Sequence, residues 1–288
     1  MIKGFMCERT GEKMAFEDCL ECARSRLNRK LGCVFDEAVI AGMILYHQNR
    51  TGISVTMLAG CHRGTFLARH NDSYAYPSSN YWAFRGQIAH KIMEEVSLHE
   101  DEVKEKRFVK EWEGIEISGM PDLIIPRQKV LKDYKTTKTI PYYRSKVTGQ
   151  ISAWENHRVQ LNLYRWLVPY EIEAMEVIYF SMEETLICPV GIWPEEAKKK
   201  SDMSIDRYME ANLVPLKMAL DSDTLPPYKS HWSCEEYCGV SEICFRELKK
   251  EIIAARLRVV KPKQNKKKGV RNGKDTTGPK KRRANSPT

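Results

Sequence analysis

Asp122, Asp133 and Lys135 stand in a stretch, Glu113 to Lys138, that reads E-G-I-E-I-S-G-M-P-D-L-I-I-P-R-Q-K-V-L-K-D-Y-K-T-T-K. Two carboxylates and an ammonium suit metal-assisted hydrolysis of a phosphodiester. Hard divalent cations such as Mg²⁺ take oxygen ligands and keep several waters. A bound water made acidic is a nucleophile, and a nearby lysine orients it or offsets charge on the pentavalent transition state. For that chemistry the three side chains must converge. Apolar and β-branched residues fill Ile115 to Ile125 and Val130 to Leu131, with Pro126, Arg127 and Gln128 between, which is the pattern of two antiparallel strands. With the turn centred on Arg127 and Gln128, Asp122 pairs directly with Asp133, Cβ atoms about 5 Å apart. The strand period of two then sets Lys135 on the same face as Asp133. A surface salt bridge on an edge hairpin would use the same three residues.

The elements around this hairpin read as mixed α and β. Helices are expected near 15 to 29, 35 to 49, 54 to 69, 80 to 97, 149 to 168, 195 to 220 and 241 to 259, with strands near 105 to 112, 115 to 126, 129 to 137, 173 to 183 and 185 to 192. No internal repeat, no phosphate-binding G-x-x-x-x-G-K-[ST] loop and no helicase motor segment is seen. Unwinding or integration would therefore belong to a partner.

The G-x-x-D of Gly119 to Asp122, followed by D-Y-K at Asp133 to Lys135, resembles the PD-(D/E)xK nuclease core. Upstream, Gly86-Gln-Ile-Ala-His90 resembles the histidine motif of the RecB-like branch, and downstream Gln160-Leu-Asn-Leu-Tyr164 resembles its Q-x-x-x-Y helix, in the same order. The resemblance spans about residues 54 to 248. It implies a small mixed sheet flanked by helices, with His90, Asp122 and Asp133 as ligands of Mg²⁺ or Mn²⁺, Lys135 as the catalytic lysine, and Gln160 and Tyr164 in contact with the substrate strand. Taken singly, a histidine on an amphipathic helix is commonly structural, and Gln160 with Tyr164 at i,i+4 is also an ordinary helix pair.

Nine cysteines stand at 7, 19, 22, 33, 61, 188, 234, 238 and 244. With no signal-peptide-like start and no apolar run near the roughly 20 residues of a membrane span, a reducing intracellular setting is expected, which favours metal over disulfides. Cys234, Cys238 and Cys244 give C-x₃-C-x₅-C, one thiolate short of an iron–sulfur cube, and Cys61 is the candidate fourth. Its segment, S-V-T-M-L-A-G-C-H-R-G-T-F-L, resembles the early cysteine segment of RecB-like nucleases of the CRISPR-associated exonuclease type. There one early and three late cysteines hold a 4Fe-4S cluster that clasps the two ends of the nuclease domain. The first gap here is three residues where the family usually has two, and zinc on the same thiols is the alternative. Cys7, Cys19, Cys22 and Cys33 form a second group. Cys19 and Cys22 fall i,i+3 on a helix, and four thiolates suit structural zinc, with a second iron–sulfur centre or unrelated buried thiols as alternatives. Cys188, between Ile187 and Pro189, reads as core.

Charge is uneven. Residues 261 to 288 carry eleven Lys or Arg against one acid, whereas the preceding 260 carry 36 basic and 37 acidic. The expected organisation is a cysteine-rich zinc-binding segment at 1–50, a nuclease domain at 51–260 closed by an iron–sulfur cluster, and a disordered basic tail at 261–288 that adds attraction to phosphates. Pro279-Lys-Lys-Arg-Arg283 also matches a nuclear-localisation pattern. The function expected is a metal-dependent exonuclease on single-stranded DNA ends, in CRISPR spacer acquisition beside an integrase complex. The alternatives are a viral or mobile-element recombination nuclease and a catalytically inactive DNA-end-binding accessory.

Overall fold

The computed structural model of the chain describes residues 2–46, 52–137, 152–181, 183–196, 199, 202–229 and 240–259. Cys234, Cys238 and the basic tail at 261–288 lie outside the described residues. The chain divides into two units, Met1–Leu248 and Lys249–Thr288. Among the described residues no helix is long and apolar enough to cross a membrane.

In chain order the elements are β1 (Ile2–Met6), β2 (Lys13–Ala15), α1 (Phe16–Arg24), α2 (Leu27–Lys30), α3 (Glu37–Tyr46), β3 (Ile53–Ser54), α4 (Val55–Ala59), α5 (His62–His70), β4 (Ser73–Ala75) and α6 (Pro77–Glu95). Then follow β5 (Val103–Lys104), β6 (Phe108–Trp112), β7 (Ile115–Gly119), β8 (Leu123–Ile125), β9 (Val130–Thr136) and α7 (Glu155–Leu167). The series closes with β10 (Ala174–Phe180), β11 (Thr185–Pro189), α8 (Ile205–Tyr208), α9 (Val214–Asp221) and α10 (Ser241–Val259). This is a mixed α/β fold with several mixed sheets flanked by helices. The largest sheet runs β11-β10-β9-β8-β5, and smaller ones run β2-β1-β4 and β3-β7-β6. Only β9 and β10 are parallel in the five-stranded sheet, and α7 provides the long crossover such a pair requires. Ile124, Leu131, Leu161, Leu163, Val177 and Tyr179 are buried together where α7 meets it.

Several expected elements are cut by one residue. Pro121 cannot continue a ladder, so the strand expected over 115 to 126 is two strands in two sheets, with Asp122 at the break. Gly60 ends α4 and Cys61 caps α5, its sulfur accepting the Gly64 N–H at 3.3 Å. Arg26, with φ of 58°, separates α1 from α2. Near Pro215, which has no N–H to give the preceding turn, residues Met209–Leu213 widen into a π-helix between α8 and α9.

A boundary was expected near residue 50, yet strand pairing crosses that position. β1 pairs in parallel with β4, so residues 2–6 and 73–75 share one sheet. Phe5, Ala23, Ile40 and Met43 form a small core there, and Phe84 of α6 packs against it. Gly42 makes that contact possible, since a Cβ would stand 2.3 Å from the Phe84 ring.

Candidate metal centre

The turn between β8 and β9 is a 3₁₀ turn at Pro126–Gln128 closed by Lys129, whose φ of 55° is left-handed. It sets Leu123 opposite Lys132, and continuing that register by one residue sets Asp122 opposite Asp133. On the other side β5 pairs Lys104 with Leu123, and the next step is the bond from Glu105 N–H to the Asp122 carbonyl, 3.4 Å. One row across three strands therefore carries Glu105, Asp122 and Asp133. Sequence reasoning missed Glu105, which sits among K-E-K with no motif around it. Its one signal is structural, a φ of 44°, a strained value for a residue with a Cβ.

His90 enters from α6, which packs on β9. Gly86, one turn earlier, permits the approach, because a Cβ there would lie 3.0 Å from Thr136 Oγ1. His90 Nε2 donates to the Tyr134 carbonyl at 3.0 Å. That bond turns Nδ1 toward the carboxylates, 3.2 Å from Glu105 Oε1 and 3.4 Å from Asp122 Oδ1. The ligand atoms of His90, Glu105 and Asp122 lie within 4.8 Å of one another, which is metal-binding proximity. Asp122 Oδ2 also accepts the Tyr134 N–H at 2.6 Å, fixing its carboxylate. A cavity of about 70 Å³, bordered by His90, Glu105, Asp122 and Leu123, adjoins the group.

Asp133 and Lys135 stand beside this group. Lys135 Nζ is 2.6 Å from Asp133 Oδ2, and the Asp133 side chain is only 1 % exposed. Apart from that ion pair, no hydrogen bond reaches either Asp133 oxygen among the described residues. A carboxylate so poorly supplied with donors is costly in a protein interior. Burial pushes the Asp133 pKa upward, and the neighbouring Asp122 charge adds to this against the pull of Lys135. Asp122 is held below the usual carboxylate range; burial opposes this, but the His90 hydrogen bond and the Lys135 charge prevail. For His90 too burial disfavours the charged ring, and the two carboxylates override it, raising the pKa to about 10. Lys135 stays an ammonium, its pKa raised by Asp133 and Asp122 in spite of burial.

Gln160 and Tyr164 are both buried on α7, and Gln160 Nε2 donates to the Tyr164 hydroxyl at 2.9 Å. Gly119 lets α7 close on β7, for a Cβ there would meet Tyr164 and Leu167 at 2.8 and 2.7 Å. His157, not anticipated from the sequence, has Nδ1 2.8 Å from the Tyr179 hydroxyl. Burial, aided by the Lys135 charge, lowers its pKa to about 3, so it is neutral. Of the late cysteine group, Cys61 and Cys244 border one small cavity with Gly64, Ser241 and Phe245. A larger cavity, about 520 Å³, lies between Cys61 and α9 and extends to Lys229. Cys188 is buried in the main core.

No protein-family model matches the chain, and no curated protein does. Among solved structures, the crystal structure of SSO0001 is similar at 21 % identity and a TM-score of 0.49, over 72 % of this chain and 93 % of that one.

Proposed function

We propose that this chain is a metal-dependent deoxyribonuclease of the PD-(D/E)xK class, RecB-like in its motifs, acting on single-stranded DNA with a free end. The observation that carries the reading is Asp133: a buried carboxylate, one strand from the His90, Glu105 and Asp122 group, that among the described residues has no hydrogen-bond partner beyond the Lys135 ammonium 2.6 Å away. A stable fold gains nothing from that arrangement until a cation arrives. The donors are hard oxygens with one imidazole, a set that suits Mg²⁺ or Mn²⁺, the histidine favouring Mn²⁺.

His90, Glu105, Asp122 and Asp133 would hold the cation, which when bound supplies an acidified water and positive charge at the scissile phosphate. Nδ1 of His90 must shed a proton to ligate, and its bond to the Tyr134 carbonyl keeps the ring oriented while it does so. Lys135 cannot serve as the base, since its ammonium does not deprotonate near neutrality. Its role is to position the attacking water and offset charge on the phosphorus. Tyr164, whose pKa is raised first by burial and then by the Asp133 charge, packs on the same centre and carries Gln160 with it. This pair is the proposed wall against the substrate strand. Cys61 and Cys244, facing one cavity, are the described half of the proposed iron–sulfur clasp, with Cys234 and Cys238 as its other ligands.

The test uses labelled single strands blocked at one end or the other, incubated with Mg²⁺ or Mn²⁺. Stepwise shortening from an open end, lost in Asp122→Asn, is the expected result. Intact strands with both metals, despite measurable DNA binding, would replace the enzyme by an end-binding accessory.

A further inference from the structure

Four cysteines of the first sheet and its helices take no part in the nuclease reading, and the fold gathers them from three separate pieces of chain. Cys7 opens the turn between β1 and β2, Cys19 and Cys22 lie i,i+3 on α1, and Cys33 follows α2. They surround one small core: Cys19 packs on the cluster of Phe5, Ala23, Ile40 and Met43, Phe5 stands two residues before Cys7, and Phe35, two residues after Cys33, packs on the same cluster.

Each ligand-bearing loop is secured by bonds of its own. At the Cys7 turn the Cys7 N–H donates to the Glu12 carbonyl at 2.8 Å, and the Thr10 hydroxyl accepts the Glu12 N–H at 3.3 Å and donates to the Glu12 carboxylate at 3.2 Å. Burial would raise the Cys7 pKa, and the adjacent Thr10 and Arg9 lower it by more. The turn is closed by the Gly11 N–H on the Cys7 carbonyl, 2.9 Å, with Gly11 at a φ of 71°. The Cys33 loop is pinned by the buried Asn28, whose carbonyl accepts the Cys33 N–H at 2.8 Å and whose amide donates to the Phe35 carbonyl at 2.7 Å. Arg9 bridges the two loops by donating to the Gly32 carbonyl.

We infer that Cys7, Cys19, Cys22 and Cys33 form a structural zinc site that fastens the β2-β1-β4 sheet to the start of α6. Without a cation, burial and then the neighbouring cysteines hold Cys19 as a protonated thiol, its pKa raised to about 11. A divalent ion reverses this balance by binding the deprotonated sulfurs. Tetrahedral Zn–S bonds of about 2.3 Å require sulfurs about 3.8 Å apart. No three of the four sulfurs are within 4.8 Å of one another as they stand, so loading draws the loops inward. The link to α6 is direct. Glu8, next to Cys7, accepts the Ser78 N–H at 2.7 Å, capping the first turn of the helix that carries His90.

Metal content of the full chain, purified anaerobically with reductant, tests the assignment. Zinc at about one ion per chain, lost in the double variant Cys19→Ser with Cys22→Ser while iron is unchanged, is expected, together with a lower melting temperature. Because that variant can fail to fold, the wild-type chain is also probed by thiol alkylation and peptide mapping. Zinc should protect the peptides holding Cys7 and Cys33, and chelation should expose them. Zinc retained by the double variant, or alkylation of Cys7 and Cys33 that is indifferent to zinc, would overturn the site. These readouts do not involve DNA cleavage, so they stand apart from the nuclease reading.

Discussion

The carboxylate centre and the thiol cluster are both candidate metal sites, but they are held open by different means. Glu105, Asp122 and Asp133 are spaced by strand register, and the sheet beneath them is backed by α7 and a large apolar core. Their positions precede any ion, and among the described residues Asp133 is a buried carboxylate paired directly with Lys135. The cysteines hang on a turn, one short helix and a loop around four buried apolar residues. So small a core is weak support without a staple. On the proposed reading, ligands spaced by a ladder recruit an ion for chemistry, whereas ligands on loops use it to complete the fold.

Asp133→Asn separates these two kinds of site most sharply. Removing a carboxylate of the proposed metal centre should lower the cleavage rate by at least about 10²-fold. Relief of the poorly bonded carboxylate should leave the metal-free melting temperature unchanged or higher, since a buried charge short of donors is destabilising. A fall in melting temperature would show that Asp133 is a structural residue. Gly86→Val gives a smaller effect. Branches beyond a Cβ already 3.0 Å from Thr136 Oγ1 must lift α6, weakening Mn²⁺ binding measured by calorimetry by about 10–100-fold, as removal of a ligand-orienting group does. Zinc content should not change, and a variant that lost zinc as well would join the two sites into one cooperative unit.

His157 supplies a pH handle beneath the carboxylate centre. Its folded pKa of about 3 is below the unfolded value of 6.5, so the unfolded chain binds the proton first as pH falls. Its contribution to stability is complete above about pH 6.5 and declines toward pH 3, with a limiting slope of about 1.4 kcal/mol per pH unit. Urea midpoints across that window should flatten in His157→Gln, and an unaltered slope would refute the neutral assignment. The smallest effect belongs to the basic tail. Deleting 261–288 should flatten the log–log salt dependence of single-strand binding by about 0.7 for each phosphate that the tail had neutralised. Coincident slopes would exclude the tail as a DNA anchor.

Asp122, Asp133 and Lys135 were legible because a strand pattern with a short turn leaves few registers, and the observed pairing keeps both acids in one row. His90 was legible through Gly86 four residues earlier, a spacing whose physical reason is the approach of α6 to β9. Glu105 was not, because its place depends on β5, a two-residue edge strand with no periodicity to detect. Pairing of β1 with β4 was equally hidden, since nothing local tells a short strand that its partner lies beyond five helices. His157 escaped notice because neutrality is a property of burial, which a helix pattern does not disclose for one residue.

The parallel partnership of β1 with β4 also bears on synthesis. Cys33 leaves the ribosome 42 residues before Ala75, the last residue of β4, and Ser78 follows later still. At about 5–20 residues per second the nascent chain carries all four thiols without their sheet for roughly 2–8 s. Translation pauses between codons 33 and 78 would lengthen that interval, so oxidative damage to newly made chains should concentrate at Cys7, Cys19, Cys22 and Cys33.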